Sequence, residues 1–187
     1  MVATVTETQN ITFLRLTRAD HDLVRHIAVA PEQIVYCGTV DMAFASDEAG
    51  IDLYAIRQGA TCVGFFKIDL KYPQTHAFAR AGDLGVRALM IDHQHQGKGL
   101  GTAALRALPA ALAGCYRDAK AVVLTVNLRN QIAVRSYLNA GFHDTGELFE
   151  GGLAGPQHVM RCNLPAPDDA APHRADLIAT GPHADAS

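Results

Sequence analysis

The run Gln96-Gly97-Lys98-Gly99-Leu100-Gly101-Thr102 follows an apolar stretch at 86–92 and opens into Ala103-Ala104-Leu105. A strand, a glycine turn and a helix start therefore come in immediate succession. Glycines let the backbone turn sharply and approach a ligand, and the first N–H groups of a helix lack internal partners and carry the positive end of its dipole. That combination suits an anion, and a phosphate or pyrophosphate above all.

Two named motifs compete for the segment. A P-loop needs G-x-x-x-x-G-K-[ST], but Lys98 lies between glycines and is followed by Gly99, so that reading fails. A dinucleotide fingerprint needs G-x-G-x-x-G and an acid about 20 residues on. Here Gly97, Gly99 and Gly101 are followed by Ala104, and Asp118 falls at a helix end, a poor fit. From this segment alone, a glycine-rich connection without a ligand stays open. A second block lies downstream, where residues 122–127 read as a strand and 130–139 as a helix. Within it Asn127 ends the strand, Asn130 stands where a helix cap is expected, and Tyr137 shares an apolar helical spacing with Ala133, Val134 and Leu138. On spacing alone Tyr137 is a core tyrosine.

Together the blocks carry a resemblance. Gln96, Gly99 and Gly101 match the Q/R-x-x-G-x-G/A signature of the GCN5-related N-acetyltransferase (GNAT) superfamily. Asn127, Asn130, Ala133, Tyr137, Gly141 and Phe142 form an N-x-x-N-x-x-A-x-x-x-Y-x-x-x-G-F pattern that resembles the other half of its acetyl-CoA site. The match covers residues 85–164. It implies acetyl-CoA as co-substrate and no metal. The implied pyrophosphate contacts are Gln96, Gly97, Lys98, Gly99, Leu100, Gly101 and Thr102; pantetheine would run along Leu89, Met90 and Ile91; and Asn127 and Asn130 complete the cofactor set. Tyr137 occupies the position of the acid that protonates the leaving sulfur. The implied activity is acetyl transfer to a primary amine of a small molecule by direct attack in a ternary complex, and the alternative is a non-catalytic acyl-CoA-binding or sensor module.

One departure bears on the acceptor. Some members of the superfamily place a glutamate base nine residues before the first motif position, where this chain has Arg87. An arginine keeps its proton and cannot be a base. Facing the acceptor, Arg87 would favour an amine with an acidic group; the equal alternative is that it pairs with a neighbouring acid. Asp69, His76, Asp83, Glu147 and His158 are the candidate bases, unranked, and the acceptor walls are expected from residues 27–45 and 151–156.

Composition agrees with a small enzyme. The 187 residues suit one domain, and a net charge of -3 gives no basic footprint for nucleic acid. No apolar run reaches the ~18 residues of a membrane span, and the polar, Lys- and Arg-free start is unlike a signal peptide. The scattered Cys37, Cys62, Cys115 and Cys162 lack metal spacing and read as free thiols, so a cytoplasmic location is expected. Nothing in the sequence sets the oligomeric state, which leaves room for a homodimer.

To position these residues, the chain is expected to build strand 11–16, a helix carrying Leu23, Val24 and Ile27, and a second helix from Pro31 to about Phe44. A bulged hairpin at 51–57 and 61–71 follows, then a loop at 72–82, strand 84–92, and a helix at 102–115 that Pro109 kinks or ends early. Strand 122–127, helix 130–139 and strands 142–150 and 157–164 complete the order. The resemblance implies an α/β (α+β) fold: a mixed, splayed sheet of about seven strands flanked by about four helices. It occupies residues 11–164, with an arm at 1–10 and a mobile tail at 165–187.

Overall fold

The computed structural model describes residues 10–166. The expected arm and tail lie, but for residues 10, 165 and 166, outside the described residues. The strands are β1 (Ile11–Leu16), β2 (Ile51–Gln58), β3 (Thr61–Asp69), β4 (Asp83–Ile91), β5 (Ala121–Asn127), β6 (His143–Phe149) and β7 (Gln157–Asn163). They form one sheet in the order β1-β2-β3-β4-β5-β7-β6. Neighbours pair antiparallel except β4 and β5, which are parallel. β7 thus sits against β5, and β6 takes the edge.

Two long helices carry the amphipathic signal. In α5 (Leu100–Cys115) the residues Leu100, Ala104, Leu105, Leu108, Ala111 and Leu112 recur on one face. They pack on Phe13, Ile56, Phe66, Val86 and Leu124 from the sheet. Pro109 neither stops α5 nor shortens it, although its missing N–H leaves one carbonyl of the preceding turn without a helical donor. α6 (Gln131–Asn139) begins at Asn130, whose side chain accepts from the Ala133 N–H at 3.2 Å.

The opposite face is covered by short pieces, α1 (His21–Val24), α2 (Ile34–Cys37) and α3 (Val40–Ala45). The second helix expected from Pro31 to Phe44 is broken. Gly38 takes a positive φ of 71° and ends α2, and the Thr39 side chain caps α3 by accepting from the Met42 N–H. Val24, Ile27, Val40 and Ala43 from this layer meet Leu16, Leu53, Phe65 and Met90 of the sheet. The segment expected as a loop at 72–82 contains one helical turn, α4 (Tyr72–Thr75). Among the described residues no helix is long and apolar enough to cross a membrane.

Two features open the sheet. β4 carries a bulge: Phe65 faces Met90 while Lys67 faces Arg87, so Ala88 and Leu89 stand opposite Phe66 alone. Ala88 has a φ of 53°, a left-handed conformation that costs an alanine energy and turns the strand. The second feature is that β4 and β5 pair only at Asp83–Ala121, Leu84–Val122 and Gly85–Val123, after which they part. The join is held at its base by Asp83, fully buried and bound by Arg161 of β7 through two bonds of 2.6 and 2.8 Å. At Gly85 the Tyr72 ring lies so close that a Cβ would come within 2.2 Å of it, which only glycine permits.

Candidate active site

The gap between β4 and β5 widens into a cavity of about 920 Å³. At its head is the glycine turn. Gly97 and Gly99 have φ of 74° and 76°, and Gly99 is the N-cap of α5. A Cβ on Gly97 would meet nothing within 4 Å, and one on Gly101 would meet only Ile91 at 3.5 Å. The space outside the turn is therefore open, and the N–H groups of the first helical turn border it, which is the shape a pyrophosphate needs. Gln96 fixes the turn: its amide nitrogen donates to the Ile91 carbonyl at 2.9 Å and to Gln33 at 3.1 Å.

Along one wall run Arg87, Ala88, Leu89, Met90 and Ile91, which have no strand paired on the β5 side. An extended ligand can hydrogen-bond there as an added strand would. Gln96, Gly97, Gly99, Leu100, Gly101, Thr102, Asn127, Asn130 and Tyr137 also line the cavity. Lys98 is the one residue of the expected set outside the lining, and its Nζ donates to the Gln94 carbonyl. The Asn127 amide is committed to the fold, with its nitrogen donating to the Ala154 carbonyl and its oxygen accepting from the Arg129 N–H, both at 2.9 Å. It fastens the connection at 151–156, and Asn130 caps α6.

Tyr137 is 8% exposed, and its ring meets Phe142 edge-on with centroids 5.7 Å apart. Burial pushes its pKa well above the usual tyrosine value, with a smaller contribution from Cys37, so its O–H is intact at neutral pH. Cys37 lines the same cavity, and burial pushes its thiol up to about 11.

Of the candidate bases only His76 lines the cavity. Asp69 binds Arg87 at 3.1 Å and the Lys71 N–H, Asp83 is occupied by Arg161, and His158 is paired with Asp144 at 2.7 Å. Glu147 lies exposed on the edge strand. His76 stacks on Tyr72 with ring centroids 3.9 Å apart, and Phe149 lies 5.4 Å away. Thr75 Oγ1 lies 2.9 Å from His76 Nδ1, and with its hydroxyl turned to the Tyr72 carbonyl at 3.3 Å it accepts from that nitrogen. That arrangement leaves Nε2 with the lone pair. Burial lowers the His76 pKa, keeping the ring neutral.

Arg87 lines the cavity and also pairs with acids: Nη1 donates to Glu48 at 2.7 Å and to Asp69 at 3.1 Å. Sequence reasoning missed Lys67, Cys37, Tyr72 and Phe149. Lys67 is marked in the sequence as a lone charge in the apolar run 63–68; the others carry no local signal.

An open mixed sheet with an anion cradle at the head of the gap defines a cofactor-binding α/β protein. The chain belongs to the GNAT acetyltransferase family, whose model matches residues 14–142. Spermine/spermidine N(1)-acetyltransferase of Bacillus subtilis (strain 168) is 36% identical over 86 residues, which are 46% of this chain and 55% of that protein. The chain spans about half the length of the curated relatives it matches. An aminoglycoside acetyltransferase, AAC(6')-Ib, solved with coenzyme A superposes with a TM-score of 0.66 at 18% identity, covering 82% of this chain and 95% of that one. Spermidine N-acetyltransferase from Vibrio cholerae, solved with CoA and spermine, gives 0.61 at 15%, covering 84% and 96%. At such identities the likeness is one of fold.

Proposed function

We propose that this protein transfers the acetyl group of acetyl-CoA to a primary amine of a small-molecule acceptor by direct attack in a ternary complex. The observation that carries the reading is the continuity of the cavity. One space runs from the cradle at Gly97, Gly99 and Gly101, along the unpaired side of β4, past Tyr137 to Arg87 and His76. Acetyl-CoA supplies an activated thioester, and the residues of the chain hold it, exclude water and manage protons.

N–H groups of the glycine turn and the first turn of α5 bind the pyrophosphate, with Gln96 holding the turn in shape and Lys98 adding positive charge nearby. Backbone groups of Leu89, Met90 and Ile91 align the pantetheine arm. An N–H beside the bulge at Ala88 meets the carbonyl oxygen as it gains charge. An alkylamine of pKa about 10.4 is only about one part in two thousand neutral at pH 7, so its proton needs an acceptor. Neutral His76, whose Nε2 makes no hydrogen bond among the described residues, is the candidate base on the cavity wall. As the C–N bond forms and the C–S bond breaks, the Tyr137 hydroxyl donates a proton to the departing sulfur.

Melting curves with CoA, acetyl-CoA, ATP and NAD test the cofactor part. At about 100 times its dissociation constant, CoA adds about 2.7 kcal/mol of stability, roughly 5–10 °C for a domain of this size. ATP and NAD should do much less, and equal shifts would overturn the assignment. Amine-dependent thiol release from acetyl-CoA tests turnover. CoA binding without release with any primary amine would make the chain a sensor module.

A further inference from the structure

We infer that the acceptor is a primary amine that also carries an anionic group, a carboxylate or a phosphate, held by Lys67 and Arg87. The inference rests on the acetyl-transfer reading above and names the substrate class of that site. The two residues are cross-strand partners on β3 and β4, and both line the cavity. Like charges directly opposite each other on a sheet repel. Two carboxylates, Glu48 and Asp69, match them in number, but Lys67 is held only loosely. Lys67 is 7% exposed, and its Nζ reaches Glu48 at 3.6 Å, too long for a hydrogen bond. Arg87 spends Nη1 alone on Glu48 and Asp69, so Nη2 and Nε make no hydrogen bond among the described residues.

Both carboxylates are committed elsewhere as well: Glu48 accepts from the Ser46 hydroxyl at 2.7 Å and Asp69 from the Lys71 N–H. Neither lines the cavity, and among the described residues its wall contains no Asp or Glu. The charged groups that the pair of strands shows to an acceptor are therefore the two cations. Burial, and then Arg87, lower the Lys67 pKa, and an incoming anion relieves that cost. A planar guanidinium with free donors matches a carboxylate or phosphate, while a polycation finds no partner here. Val35, Tyr36, Phe149 and Leu153 provide apolar wall for the body of the molecule.

The test uses matched amines that differ by the acid alone: phenylalanine and phenethylamine, β-alanine and propylamine, phosphoethanolamine and ethanolamine, with spermidine as the polycation. The full chain is assayed with saturating acetyl-CoA. In the carboxylate or the phosphate pairs, the acid-bearing member should have the higher kcat/KM by about tenfold to a hundredfold, the value of one hydrogen bond to a charged group. The arm that shows the preference identifies the acid. Lys67→Met should remove most of it by raising KM for the acid-bearing member, and Lys67→Arg should retain it. If Lys67→Met does not fold, the wild-type pairs decide alone. Acid-free amines or spermidine used as well as, or better than, the acid-bearing members would overturn this inference and leave acetyl transfer standing. Failure of every amine to elicit thiol release, or no CoA-induced melting shift, would instead overturn the acetyl-transfer reading and this inference with it.

Discussion

Tyr137→Phe separates proton donation from packing, because the ring stays and only the hydroxyl goes. The hydroxyl makes no hydrogen bond among the described residues and stands on the cavity wall. Its loss should therefore leave the contact with Phe142 intact and the melting temperature nearly unchanged. A tyrosine that anchored a helix would lose about 1 kcal/mol instead, roughly 2–4 °C for a domain of this size. The rate should behave differently. Passing a proton from a tyrosine of pKa about 10 to a thiol of about 8.5 is uphill by roughly 2 kcal/mol, and burial of Tyr137 widens the gap. The transfer must therefore accompany C–S cleavage, where a donor is worth about 100-fold to 10,000-fold. Water entering the open cavity replaces part of this, so kcat should fall by about 100-fold, or about 2.7 kcal/mol. Thiol release at saturating acetyl-CoA, with single-turnover runs to show that chemistry limits, reads the effect. A kcat within twofold of wild type would refute the role.

Gly101→Ala replaces a helical glycine whose Cβ has room, so the free protein should gain up to about 1 kcal/mol and melt roughly 2–4 °C higher. The new methyl stands on the cradle wall, so the CoA-induced shift should shrink; an undiminished shift would place the phosphates elsewhere. For Glu48, the Ser46 hydrogen bond first and Arg87 next hold the carboxyl at about 2 against an ordinary 4.5. A folded pKa below the unfolded one stabilises above about 4.5 and is lost as pH falls toward 2. The side chain is 44% exposed, so solvent screening keeps the effect modest. Melting temperature should decline more steeply over that window in wild type than in Glu48→Gln, and parallel curves would show that the pairing adds nothing.

The glycine turn at the head of the candidate site was legible because its geometry is local. A strand, a turn needing left-handed backbone at Gly97 and Gly99, and a helix start lie within a few residues, and such geometry is set by the dihedral preferences of contiguous residues. The α5 face and the bulged hairpin were legible for the same reason, since periods of 3.6 and 2 are written in sequence. The break at Gly38 was overlooked because the apolar pattern runs across it, and the turn at Tyr72–Thr75 because Pro73 reads as loop. The acceptor half belongs to the tertiary structure. Lys67 meets Arg87 through strand register, Arg161 reaches Asp83 from 78 residues away, and the helical turn after β3 carries His76 to the wall it shares with Phe149. Whether Asn127 faces a ligand or ties down a loop was open in the sequence, and the position of Ala154 commits its amide to the loop. Register, burial and the parting of β4 from β5 are collective outcomes of packing. No short stretch of residues contains the distances that decide them.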